Sequence, residues 1–193
     1  MTLTRTQVQS KVHVLPTLRF EEQPQLTSFA GAVLYQVLFR VLDLKARLRS
    51  CFGDEGRSYG GHVVALTLVL HLLLGFRQLR DRDYYYNDPL VCRVLGLRSL
   101  PDVSTISRTL RDCTHQDVER TRRLVRRLVL ERLQAEQLPR VTLDYDGSVL
   151  TTRRHAEGSA VGFDRKRKGA RSYYPLFCTI AQTGQLLDVP HRP

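Results

Sequence analysis

The sequence has no tryptophan, one methionine and only four cysteines. Cys51, Cys92, Cys113 and Cys178 are scattered, and no two have C-x-x-C spacing. That excludes a zinc-ribbon reading and a secreted disulfide scaffold. Long hydrophobic runs are missing too. The longest, residues 63–74, is interrupted by Thr67 and His71. It falls well short of the ~20 residues a membrane span needs. The first ten residues lack an apolar signal core. These absences lead to the expectation of a soluble, cytoplasmic, reduced protein with no membrane partner.

Acidic residues are scarce beside basic ones. Lys and Arg number 30 against 19 Asp and Glu, a net charge of +11. Most of the cations are arginines, whose planar fork suits phosphate. The expected partner is therefore a polyanion, nucleic acid before an anionic surface. A hydrophobic fraction of 42% is enough for a core. The length allows one ordinary domain, or a small helical domain with part of another.

Along the chain, residues 1–26 read as an extended arm punctuated by Pro16 and Pro24. Residues 27–138 read as helical. A first helix is expected through 29–48, with Val33, Leu34, Val37, Leu38, Val41 and Leu44 on its inner face. A loop rich in glycine follows at 51–61. A buried helix is expected over 62–80, with His71 as a core histidine making one hydrogen bond. Tyr84, Tyr85 and Tyr86 either stack on bases or plug the side of the helical region with wet hydroxyls; packing is the simpler reading. Asp88-Pro89 starts a short helix that Gly96 ends.

Residues 97–113 have the outline of the second helix of a helix-turn-helix. Ile106 and Leu110 are expected to face inward, leaving Ser107, Arg108 and Arg111 for DNA. Any capped amphipathic helix with arginines has this outline, so plain packing stays open. A helix over 116–137 carries an apolar stripe of Val118, Val125, Leu128 and Val129. Arg120, Arg123 and Arg127 share another face, and Glu119 is placed to pair with Arg123 at i, i+4. That basic ridge is either a solvated face or a row of phosphate contacts.

At Leu138-Pro139 the pattern changes to strands, expected over 141–151, 173–181 and 185–189, with a tight turn at Thr183-Gly184. Between the first two lies a basic loop, 152–172, holding Arg165, Lys166, Arg167, Lys168 and Arg171. It reads as a phosphate-gripping loop, or more simply as a solvated excursion. The first strand carries Asp144 and Asp146 two residues apart, so both project from one face. Aspartate is a poor strand former. The pair is either a hard-oxygen site for Mg²⁺ or Mn²⁺ in phosphoryl chemistry, or a solvated strand end running into Gly147.

The segment from Leu143 to Pro193 resembles the DDE-type transposases of bacterial insertion sequences, DDE domain group 1. The residues that carry the resemblance are Asp144 and Asp146, Gly162-Phe163, the basic stretch 166–169, and Tyr174-Pro175-Leu176. The resemblance is good over residues 138–193 and looser over the helical part. It implies an α+β chain. An N-terminal all-helical region, putting DNA binding at 27–138, would be followed over 139–193 by the opening antiparallel strands of an incomplete RNase H-like domain. It also implies DNA transposition at element terminal repeats, Mg²⁺ or Mn²⁺ as cofactor in the complete enzyme, and a homo-oligomer in the full-length form. The role of first catalytic carboxylate goes to Asp146, with Asp144 as the alternative.

The family's second aspartate and its glutamate find no counterpart before Pro193. Asp188 stands where the family places neither. The 193 residues are therefore expected to be an N-terminal part, truncated, and inactive in strand transfer by itself. The competing reading is a non-catalytic basic DNA-binding protein whose acids are vestigial.

Overall fold

The computed structural model describes residues 27–53, 59–152, 156–162, 164 and 167–192. The arm at 1–26 lies outside them. Among the described residues the fold is α+β: helices first, then an antiparallel sheet. Two compact units are present. One comprises Met1–Ala46 and Glu55–Arg111; the other comprises Arg47–Asp54 and Asp112–Pro193.

The first unit is built from α1 (Val33–Val41), the start of α2 (Leu44–Arg49), α3 (Gly61–Leu73), α4 (Pro89–Leu95) and α5 (Val103–Arg111). The expected continuous helix through 29–48 is instead two helices. Asp43 takes a left-handed conformation, φ 47°, and breaks the run. The inner face differs as well. Phe39 and Leu44 are buried, whereas Leu34, Leu38 and Val41 are exposed. The bulkier Phe39 claims the core, and periodicity alone cannot rank two apolar faces of one helix.

The helix expected over 62–80 stops at Leu73. Gly75 turns the chain at φ 92°, and the polar stretch forms a separate 3₁₀ turn, Leu79–Tyr84. The start and stop of α4 are as its sequence dictates. Asp88 accepts hydrogen bonds from the Leu90 and Val91 amides, Pro89 occupies the first turn, and Gly96 ends the helix at φ 65°. In α5, Ile106 is buried as expected, but its inward companion is Thr109; Leu110 is exposed.

Of the three tyrosines only Tyr85 plugs the core, and its hydroxyl is not wet. It shares a 2.6 Å hydrogen bond with His71 Nδ1 and packs edge-on to Phe29. Tyr84 and Tyr86 are exposed. Burial pushes the Tyr85 phenol up to about 12. Burial also lowers the His71 pKa, outweighing the Gln78 backbone and Asp81, which favour the charged ring.

A pH dependence follows. Above about 6.5 His71 is neutral in both folded and unfolded chains. Below that the unfolded chain takes up the proton first, so stability present above 6.5 is lost as pH falls. The slope is at most about 1.4 kcal/mol per pH unit for one proton. Urea melts from pH 8 to 5 are expected to show it, and His71→Gln to flatten it.

The second unit holds the end of α2, α6 (His115–Glu136) and six strands: β1 (Leu143–Gly147), β2 (Leu150–Thr151), β3 (Ala160–Val161), β4 (Arg171–Ile180), β5 (Leu186–Asp188) and β6 (His191–Arg192). Thr114 and Asp117 cap α6 reciprocally, and Gln137 closes it at φ 49°. Its buried apolar contact is Leu124, while Val118 and Val125 of the expected stripe are exposed. Glu119 pairs with Arg122 at 2.6 Å, an i, i+3 pair, and Arg123 bonds the Glu119 carbonyl instead of its carboxylate.

β4 is the organising strand, antiparallel to all five others. The strand expected over 141–151 is split into β1 and β2, and Pro175 in β4 supplies the reason. Gly147 pairs with Leu176 and Leu150 with Tyr173, so Ser148 stands opposite Pro175. The Ser148 amide donates to the Pro175 carbonyl at 3.1 Å. Proline has no N–H to return, and the ladder lapses there. The turn before β5 closes at Gly184, φ 67°, whose amide donates to the Ile180 carbonyl.

Candidate functional site

β1 presents its two acids through register. Directly opposed residues of an antiparallel pair share a face. Asp144 opposes Thr179 and Asp146 opposes Phe177. Leu143 and Tyr145 oppose Ile180 and Cys178, which are buried on the other face. A hydrogen bond with Cys178 pushes the Tyr145 phenol up, consistent with that side. The two carboxylates therefore stand together on the face that carries Thr179 and Phe177. Both are exposed, and among the described residues neither makes a hydrogen bond or an ion pair.

Asp188 provides the contrast. It opposes Cys178, so it lies on the face away from Asp144 and Asp146. Arg122 Nη2 donates to both of its oxygens, at 2.9 Å and 3.0 Å, and Arg126 donates to Oδ2 at 2.7 Å. Burial pushes this carboxyl up, but the two guanidiniums outweigh it and hold the pKa below the usual carboxylate range. Asp188 is thus a staple between β5 and α6.

The donor set of Asp144 and Asp146 suits a hard divalent cation. Both ligands are carboxylate oxygens, and both are exposed where a cation can keep its waters, as Mg²⁺ prefers. Among the described residues no three His, Cys, Asp or Glu side chains come together. The acids therefore offer two carboxylates from one strand.

The basic loop is held from beneath by a residue that sequence reasoning missed. Asp164 is buried, and its carboxylate accepts the Thr151 hydroxyl at 2.9 Å and the Arg167 amide at 3.1 Å. Its place in an arginine- and lysine-rich loop hid it; the neighbouring Gly162-Phe163 step was the available signal. Arg167 and Lys168 are exposed above it. Arg165 and Lys166 lie outside the described residues. Arg171 turns inward, its Nε donating to Ser159 Oγ at 3.1 Å and its Nη2 to the Ser159 carbonyl. Gly162 packs so closely on Tyr174 that a Cβ there would come within 2.5 Å of the phenol oxygen.

The remaining residues expected to contact DNA fall into two groups. Ser107, Arg108 and Arg111 are exposed on α5, where Arg108 also bonds the Ser104 carbonyl and Thr105 hydroxyl of its own helix. Arg120, Arg123 and Arg127 line one side of α6 and open onto a pocket with Arg47, Ser50 and Cys51. No helix among the described residues is long and apolar enough to cross a membrane.

A family model described as transposase DDE domain group 1 matches residues 17–193. No curated protein and no solved structure gives a significant match.

Proposed function

Because the chain belongs to the transposase DDE domain group 1 family, we propose that it serves DNA transposition, with β1 contributing the first carboxylate of a two-metal strand-cleavage site. The observation that carries this reading is the pair of exposed aspartates on one face of β1, without a partner among the described residues, in a chain whose net charge is +11. In so basic a protein, two acids without an ion pair among the described residues have another use to answer for. Divalent metals are typical of the family. Asp146 and Asp144 would hold the ion, and the bound metals would activate the attacking water or hydroxyl and stabilise the leaving oxygen. Asp146 takes the leading role, with Asp144 as the second ligand from the same strand.

The chain's own residues do the rest of the work by position. The β1–β4 ladder holds the two carboxylates rigidly, and the opposite face keeps Asp188 apart from them. Arg167 and Lys168, on a turn anchored by Asp164, offset the repulsion between the acids and a DNA backbone. With Arg165, Lys166 and Arg171 they form one proposed DNA contact. Ser107, Arg108 and Arg111 on α5 and Arg120, Arg123 and Arg127 on α6 form others. The DNA is the terminal repeat of the element, and the working form is a homo-oligomer.

Fluorescence anisotropy with an element-end duplex tests this reading. Mg²⁺ is expected to tighten binding by about tenfold, because it screens the acids from phosphate. In Asp144→Asn/Asp146→Asn, metal-free binding is expected to be tighter than in the native chain and Mg²⁺ to have no further effect. Duplex binding with no metal response in the native chain would instead identify a non-catalytic basic DNA-binding protein with vestigial acids.

A further inference from the structure

A hollow lies between the basic side of α6 and the end of α2 with the residues just after it. A cavity of about 250 Å³ is lined there by Arg47, Ser50, Cys51, Arg120, Arg123 and Arg127. Cys51 is buried at its base. Arg47 is fixed in the wall by two bonds of 2.9 Å to the Glu131 carboxylate. The Ser50 hydroxyl donates to the Arg47 carbonyl at 2.7 Å, which ties the segment's turn together. Among the described residues Arg123 uses only its Nε, on the Glu119 carbonyl. Arg120 and Arg127 have no ion pair and no hydrogen bond among the described residues. Their charges are near enough to act on the Cys51 thiol.

Four arginines therefore line one hollow, and the nearby Glu131 is bonded by Arg47 and also feels the charge of Arg127. Like charges at i, i+3 and i+7 repel one another along a helix. Arg122 and Arg126, on the same helix, answer that repulsion with Asp188. Among the described residues Arg120 has no ion pair and no hydrogen bond, and Arg127 acts on Glu131 through its charge without bonding it. Arg123 and Arg127 are exposed, and with Arg120 they line one open pocket beside Arg47, which an ion pair to Glu131 holds. An anion with several acceptor oxygens meets that arrangement, and forked donors suit phosphate.

We propose that this pocket seats one backbone phosphate of duplex DNA, with Arg120, Arg123 and Arg127 as the donors and Arg47 as the rigid wall that positions it. The proposal rests on the DNA-binding reading above and adds to it a defined docking point. Residues 47–51 take part in that point although they lie far from α6 in sequence. A single seated phosphate sets the register of the duplex against the sheet unit, a task a diffuse basic surface cannot perform.

The test is anisotropy of a labelled duplex between 50 and 200 mM NaCl, with three chains compared. Arg120→Gln/Arg127→Gln removes two charges from the pocket. Arg132→Gln/Arg140→Gln removes two charges from the same unit outside it. The native chain is the reference, and matched thermal midpoints by circular dichroism establish that all three are folded. The pocket variant is expected to bind severalfold more weakly, with its log K against log[salt] slope shallower by about 0.9, the contribution of one phosphate. The control is expected to keep the native slope. Equal changes in the two variants, or an unchanged slope in the pocket variant, overturn the docking point while leaving DNA binding intact. Failure of the native chain to bind duplex overturns both readings.

Discussion

Asp146→Asn is expected to raise the dissociation constant for Mn²⁺ at β1 by at least about a hundredfold. Losing a group that merely supports a ligand typically costs 10–100-fold in metal affinity, so losing a ligand costs no less. The substitution is nearly isosteric and the position is exposed, so the β1–β4 ladder stays intact. Asp144→Asn is expected to have a smaller effect of the same sign, about tenfold. Asp146 borders Gly147, where the strand ends and the ladder approaches its lapse at Pro175, and this leaves room around its carboxylate. Asp144 lies deeper in the ladder, opposite Thr179. Isothermal titration with Mn²⁺ reads both. Asp188→Asn is the informative comparison: it loosens the α6 staple and leaves the Mn²⁺ affinity of β1 unchanged, because Asp188 lies on the other face.

Asp164→Ala is expected to weaken duplex binding by about tenfold, although it makes the protein more positive. The sign separates two accounts of the basic loop. If the loop acts only through its charge, removing an acid raises the net charge and tightens binding. If the loop acts through its shape, Asp164 matters because its carboxylate holds the Thr151 hydroxyl and the Arg167 amide. Without it, the turn that carries Arg167 and Lys168 loses its fastening, and the ordering cost falls on binding. A buried carboxylate removed from two donors also leaves those donors unpaired. Asp164→Asn, which keeps an acceptor, is expected to lie between the native chain and the alanine variant. Anisotropy at fixed salt is the measurement.

Local chemistry was readable wherever the signal and its cause lay close together. Asp88-Pro89 and Gly96 bound α4, and Thr183-Gly184 turns into β5. The core role of His71 was readable too, since a lone histidine among apolar residues needs one partner, and Tyr85 is that partner. The helix-then-strand order that makes the fold α+β followed from the change of pattern near Pro139.

Features set by distant residues were not readable. Within 141–151 Gly147 is the one local sign of a strand end, but the cause of the break, Pro175, lies across the ladder. Asp43 in a left-handed conformation is unusual for any residue but glycine, and no neighbour marks it. The exposed Leu34, Leu38 and Val41 look as apolar as the buried Phe39, and tertiary packing chose between them. The arginines of α6 are the clearest case. One periodic run divides into a pair that clamps Asp188 and a set that lines a pocket with residues 47–51. Sequence spacing resolves the faces of the helix but not what each face meets. For the site itself, the shared face of Asp144 and Asp146 was readable from period-two alternation. Their separation from Asp188 required the register of β4.

The central claim is that Asp144 and Asp146 form one metal-binding face of β1. The most direct measurement is Mn²⁺-induced broadening of backbone amide signals in isotope-labelled protein. The account predicts selective loss of the signals of residues 144–147 and of Phe177 and Thr179 opposite, with those of α3 and α4 unaffected. It also predicts that Asp144→Asn/Asp146→Asn abolishes the effect. Broadening that avoids β1, or that persists in the double variant, would contradict it.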